Sequence, residues 1–251
     1  MDNLDYRDDP TGGEKSKRVR AVFDTVAQRY DLMNDLMSGG VHRLWKEAMI
    51  DWLHPQPGMA LLDVAGGTGD IASRFVRRLG RRGVTDLPPV RVCDINELML
   101  KRGMARLARQ PNIASAITWL CGDAEQLPIA SQSVDAYTIA FGIRNVSHID
   151  RALEEAYRVL RPGGRFLCLE FSAVQIPGLD RLYDAYSRHI LPQLGEWVAG
   201  DRSAYEYLVA SIRRFPDQSC YQMMIEQAGF THVKVRNLSG GIAALHSAWR
   251  I

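Results

Sequence analysis

Leu61-Leu62-Asp63-Val64-Ala65-Gly66-Gly67-Thr68-Gly69-Asp70 is the stretch on which the reading of this chain turns. An apolar run with one acid leads into a glycine cluster, and an acid then opens a helical pattern. Glycine lets a backbone turn tightly and approach a ligand closely, so a strand here runs through a tight turn into a helix. The spacing alone leaves two ligands open. Gly67-x-Gly69-x-x-Ala72 also satisfies a loose dinucleotide pattern, and a pyrophosphate wants bare N–H groups at a helix N-terminus. Charge separates them, because Asp63 and Asp70 flank the turn. Like charges some 4 Å apart repel by roughly 4 kcal/mol at an effective dielectric of about 20. S-adenosylmethionine brings an ammonium and a sulfonium instead, which carboxylates attract. The loop therefore points to S-adenosylmethionine, with Asp63, Gly67 and Gly69 as its contacts.

The next two strand ends continue the same crevice. Arg91-Val92-Cys93-Asp94-Ile95-Asn96 places a carboxylate where it can accept both ribose hydroxyls, or else cap a helix over Glu97–Arg109. Cys121-Gly122-Asp123-Ala124-Glu125-Gln126-Leu127-Pro128 puts Asp123 where an acid meets an adenine amino group, and small Ala124 leaves room for the ring.

Further out, strand-like runs alternate with helical ones: Ala60–Val64, Val90–Cys93, Ala116–Leu120, Val134–Ala140 and Arg165–Phe171. Such alternation implies a parallel sheet covered on both faces, and buried parallel strands read as continuous apolar runs, as these do. Late strands over His232–Asn237 and Ile242–Trp249 are joined around Ser239-Gly240-Gly241, which predicts a hairpin and an antiparallel strand. The expected fold is α/β, a doubly wound, mostly parallel seven-stranded sheet with an antiparallel C-terminal strand and a helical lid. It reads as one domain over 1–251. Residues 16–54 form an N-terminal helical lid with helices over Lys17–Tyr30 and Val41–Leu53. Residues 58–172 form the cofactor-binding core, 177–216 a helical acceptor-site insertion and 230–251 the terminal hairpin.

Bulk properties exclude other classes. The 251 residues carry a net charge of +2, which argues against a nucleic-acid partner. Apolar stretches fall far short of the roughly 18–20 residues that span a bilayer. The polar, acid-containing first twenty residues read as neither a secretory signal nor a transit peptide, so the expectation is a cytoplasmic protein. Cys93, Cys121, Cys168 and Cys220 form no C-x-x-C pair and read as reduced core thiols; no His/Cys spacing suggests a metal.

Several segments resemble the ubiquinone/menaquinone biosynthesis C-methyltransferase family: Tyr30-Asp31-x-Met33-Asn34-Asp35-Leu36-Met37-Ser38, Val41–Lys46, Asp63–Asp70, Cys93–Asn96, Phe141-Gly142-Ile143-Arg144-Asn145-Val146, Tyr157–Gly164, Tyr183–Ser187 and Ser211–Pro216. The likeness runs from Lys17 to the C-terminus. It implies methyl transfer from S-adenosylmethionine to a ring carbon of a polyprenylated quinol, a benzoquinol, a naphthoquinol or both. Thr68, Asp94, Asp123 and Ala124 would contact the donor. Family members often carry serine where this chain has Ala140, which puts that one contact in doubt.

A quinol ring carbon attacks well only when a neighbouring hydroxyl is at least partly ionised, so the site needs a group to stabilise a phenolate and one to accept a proton. Arg144 and Asn145, just after the fourth strand, are the candidate catalytic pair. Arg144 would stabilise the phenolate or hold a water, and Asn145 would orient the ring oxygen. A loop-stabilising role with Arg144 tied to an acid is the competing reading. His148 is the nearest titratable side chain but equally suits the start of the following helix. Tyr30, Tyr183 and Tyr186 either line the quinol site or belong to the core. A lipid-tailed acceptor further implies peripheral contact with the inner face of the membrane, aided by Lys15, Lys17, Arg18 and Arg20. A homo-oligomer or a quinone-biosynthesis complex is compatible with the same resemblance. A sterol or phenol acceptor, an NAD-dependent oxidoreductase and a silent subunit are the alternatives, and the acidic loop speaks against the second.

Overall fold

The structure, a computed structural model, describes residues 35, 37–178, 183, 185, 186, 193 and 202–251. The expected helix over Lys17–Tyr30, Tyr30 itself and nearly half of the 177–216 segment lie outside the described residues. Seven strands form one sheet in the order β3-β2-β1-β4-β5-β7-β6. They are β1 (Leu61–Val64), β2 (Val90–Asp94), β3 (Ile117–Cys121), β4 (Val134–Ala140), β5 (Leu160–Phe171), β6 (Thr231–Leu238) and β7 (Ala243–Trp249). The first five run parallel, and β7 runs antiparallel to both β5 and β6.

Strand side chains alternate between faces, and two hydrophobic clusters record that alternation. Leu61, Val92, Ala136, Leu167 and Leu169 belong to one; Leu62, Val64, Cys93, Tyr137, Ile139, Phe166 and Cys168 belong to the other. Val134 and Ala136 share a parity yet face opposite clusters, because the register with β5 shifts between them.

Helix α1 (His42–Leu53) buries Trp45, Met49, Ile50 and Leu53, then stops at left-handed His54 ahead of Pro55 and Pro57. It packs on α2 (Asp70–Arg81) and on β5. The chain then forms α3 (Glu97–Leu107), the short α4 (Pro111–Ala114), α5 (Ile149–Val159), α6 (Arg202–Arg214) and α7 (Gln218–Gln227). Strand β5 starts at Leu160, five residues before the sequence pattern suggested. Its first residues contain Pro162 and two glycines, and they are held from outside: Gly163 N donates to the Arg250 carbonyl at 2.7 Å and Arg250 N to that of Gly164 at 3.0 Å. The expected hairpin joins β6 to β7 through a single turn at Ser239–Gly241. Edge strand β6 presents Lys234 and Arg236, the kind of charge that blunts an exposed edge. Strand order reverses between β1 and β4. Ligands of open α/β sheets bind beside such a switch point, at the carboxyl ends of the strands.

Candidate active site

A cleft opens at that point and encloses about 1170 Å³, its mouth included. The glycine loop forms one wall. Gly67 (φ 55°) and Gly69 (φ 74°) occupy the left-handed region, which favours glycine. A Cβ at Gly69 would stand 2.7 Å from the Trp119 ring, and one at Gly66 2.8 Å from Val92. The packing behind the loop thus leaves no room for a side chain at either position. Gly69 itself does not line the cleft; its role is the turn into α2.

Asp94 closes the loop from β2. Its Oδ2 accepts from Gly67 N and its Oδ1 from Asn96 N, both at 2.8 Å. Burial pushes its pKa up, against those two N–H groups. The helix-cap alternative falls to Asn96, whose side chain accepts from Met99 N at 3.2 Å at the start of α3. Asp94 is therefore left at the cleft wall. Asp123 and Ala124 line the same cleft from the end of β3, as Thr68 does from the loop.

The two acids that flank the loop behave differently from bare rim charges. Asp63, 1% exposed, forms part of the floor. It accepts from Thr138 Oγ1 at 2.8 Å and from Ala72 N at 3.3 Å, which bolts β1 to β4 and to the first turn of α2. Burial pushes its pKa up to about 7. Asp70 accepts from Lys46 Nζ at 2.9 Å and from Arg74 Nε at 3.1 Å. Those cations overcome the burial that would raise it and hold it at about 2.

At their carboxyl ends β1 and β4 carry backbone strain. Ala65 (φ 48°) and Phe141 (φ 57°) are non-glycine residues in the left-handed region, a conformation that clusters at functional sites. The two ends touch there, since a Cβ at Gly142 would lie 2.4 Å from that of Ala65. Ile143–Asn145 then forms a 3₁₀ turn. At three residues per turn, successive side chains diverge by about 120°. Asn145 lines the cleft. Arg144 does not, and this corrects the placement expected from sequence. Its guanidinium is fully buried, donates to Glu170 Oε1 at 2.5 Å and to the Phe141 carbonyl at 2.9 Å, and lies over the Phe171 ring. The acid-tied reading of Arg144 is the one the geometry matches.

Glu125 went unnoticed in the sequence. Its Oε1 accepts from Ser147 N at 2.7 Å and His148 N at 3.0 Å, and its Oε2 pairs with His148 Nδ1 at 2.8 Å. It thereby joins the exit of β3 to the start of α5, where His148 precedes the first helical residue. Tyr183 and Tyr186 lie side by side with ring centroids 6.4 Å apart. Tyr183 donates its hydroxyl to the Met37 carbonyl at 3.3 Å, and neither ring lines the cleft. Ala140 does line it. Cys93 and Cys168 are buried, whereas Cys121 and Cys220 are exposed, so only two of the four are core thiols. Among the described residues no three His, Cys, Asp or Glu side chains gather to hold a metal.

This sheet order, with a glycine loop after β1 and an acid ending β2, defines an S-adenosylmethionine-dependent methyltransferase of the Rossmann-like class. Solved structures share the fold. A methyltransferase of this type from Thermotoga maritima aligns with TM-score 0.62 at 19% identity, over 93% of this chain and all of that one. Another, from Aquifex aeolicus, aligns at 0.58 and 16% identity over 82% and 89%. The ubiE/COQ5 methyltransferase family matches residues 12–250, and the chain belongs to that family. Among its relatives, the ubiquinone/menaquinone biosynthesis C-methyltransferase UbiE of Methylobacterium nodulans is 58% identical over 240 residues, 95% of this chain and 92% of its own. That of Cereibacter sphaeroides is 56% identical over 239 residues, 95% and 93%.

Proposed function

We propose that this methyltransferase alkylates a ring carbon of a polyprenylated quinol in the biosynthesis of ubiquinone, menaquinone or both, with 2-polyprenyl-6-methoxy-1,4-benzoquinol and/or demethylmenaquinol as acceptor. The observation that carries the reading is the 58% identity, over nearly the full length of both chains, to a relative named for that step. Bound S-adenosylmethionine supplies an electrophilic methyl whose departure leaves a neutral thioether. The residues of this chain hold the donor and orient the acceptor. The Gly66–Thr68 backbone and Asp94 hold the donor, with Asp94 accepting the ribose hydroxyls and Asp123 with Ala124 accommodating the adenine. Asn145, on the same cleft, orients the acceptor oxygen next to the attacking carbon. In-line placement of this kind is worth on the order of 7–11 kcal/mol. Arg144, paired with Glu170 and the Phe141 carbonyl, holds in place the turn that carries Asn145.

The acceptor's prenyl tail places the enzyme, in this proposal, in the cytoplasm against the inner face of the membrane as a peripheral protein. No helix among the described residues is long and apolar enough to cross a bilayer.

The test is transfer of label from S-adenosylmethionine to two short-chain acceptors, a methoxy-benzoquinol and a demethylnaphthoquinol, under reducing conditions. Label on ring carbon is expected. Asn145→Ala should bind donor within about threefold of wild type while kcat falls at least about tenfold, the signature of an interaction made in the transition state. Donor binding without label on either quinol would sink the acceptor assignment and leave the methyltransferase class standing.

A further inference from the structure

The cleft is lined by the carboxylates of Asp63, Asp70, Asp94, Asp123 and Glu125 and, among the described residues, by a single cation, Lys46. S-adenosylmethionine fits most of that wall, since its ammonium, sulfonium and ribose hydroxyls all favour acidic partners. Its α-carboxylate does not. An anion carried into such a cleft needs a cation or donors that point at it. We propose that Lys46 anchors the α-carboxylate of the methyl donor, a role that rests on the methyltransferase reading of the cleft.

Three observations support it. Lys46 is 5% exposed, so its ammonium is committed to the interior and to what enters it. An ammonium has three donors, and one of them goes to Asp70 Oδ2 at 2.9 Å. Asp70 in turn is shared with Arg74, which also pairs with Glu47; Glu47 pairs with Arg78, and Arg78 with Asp51. Charges alternate along this ladder from the surface inward, and the ladder ends at the cleft on a cation. Because Arg74 remains on Asp70, Lys46 can take a second anion without stripping Asp70 of its partner. Lys46 also stands beside the start of α2, whose N-terminal field favours an anion at the same spot. Donor binding then links α1, which carries Lys46, to the glycine loop that leads into α2. The sequence hid this residue, because its charge partner lies 24 positions away.

Calorimetric titration of the full chain with S-adenosylmethionine and with its decarboxylated form tests the assignment. The second ligand keeps the nucleoside, the sulfonium and the amine. Wild type should prefer the carboxylate-bearing ligand by about tenfold or more, as a charge-assisted contact demands. Lys46→Met should reduce that preference to about twofold or invert it, while Lys46→Arg retains most of it. Melting of the free proteins separates this from a purely structural role of the ladder. Equal binding of both ligands by wild type overturns the proposal whatever the variants do, and leaves the donor reading intact. Loss of both ligands in equal proportion in Lys46→Met overturns it as well. Binding of neither ligand by wild type would refute the donor reading on which it rests.

Discussion

Replacing Asp63 by asparagine isolates the cost of holding a carboxylate beneath the glycine loop. Burial raises this carboxyl from its ordinary 3.8 to about 7, with Asp70 adding to the shift and Thr138, Ala72 and Lys46 opposing it. Between those two values the folded chain binds a proton that the unfolded chain has released. Stability from this group is therefore greatest at low pH and declines as pH rises towards 7. From about pH 5 to pH 7 the slope falls from about 1.4 kcal/mol per pH unit to half that, a loss of roughly 2 kcal/mol in all, with little further change above. Asparagine still accepts from Thr138 but turns an amide towards Ala72 N, which costs about 1–3 kcal/mol at every pH. The variant should thus be the less stable protein near pH 5 and draw level with wild type or pass it near pH 8. Urea unfolding followed by tryptophan fluorescence at several pH values measures this, and all other titrations cancel in the difference between the two proteins. A difference that stays flat with pH, or moves the other way, would refute the buried-carboxylate reading of Asp63.

Two further outcomes follow from the packing of the site. Gly69→Ala should destabilise by at least about 2 kcal/mol, from a left-handed backbone plus a methyl driven into Trp119. Gly83→Ala, at φ +78° with open space around it, should show the backbone component alone, and denaturant midpoints compare the two. Glu170→Gln should cost about 3–5 kcal/mol by stranding the Arg144 charge in the core. Arg144→Met should cost less, because burial already raises the pKa of Glu170 and it can take up a proton, an escape not open to arginine. Equal losses in the two variants, read by urea unfolding, would contradict that asymmetry.

What could be read from the sequence follows the range of the forces involved. The parallel strands were legible because burial on both faces demands apolar runs, and Phe166–Leu169 is such a run. The β6–β7 connection was legible because Ser239-Gly240-Gly241 is local turn chemistry. The start of β5 was not, since Pro162 and two glycines read as a break while Arg250, from the far end of the chain, holds them in the sheet. Arg144 and Asn145 are neighbours in sequence, and only the 3₁₀ turn sends one to the cleft and the other to Glu170. The same limit applies to the charge argument for the donor. Asp63 and Asp70 suggested an acidic rim, yet Thr138 and Ala72 engage the first and Lys46 and Arg74 neutralise the second. Asp94, Asp123 and Glu125 also line the cleft, from β2 and from the segment after β3, but Gly67 N and Asn96 N engage Asp94 and His148 pairs with Glu125. A carboxylate's sign is written in the sequence, but its partners come from elements that only folding brings together.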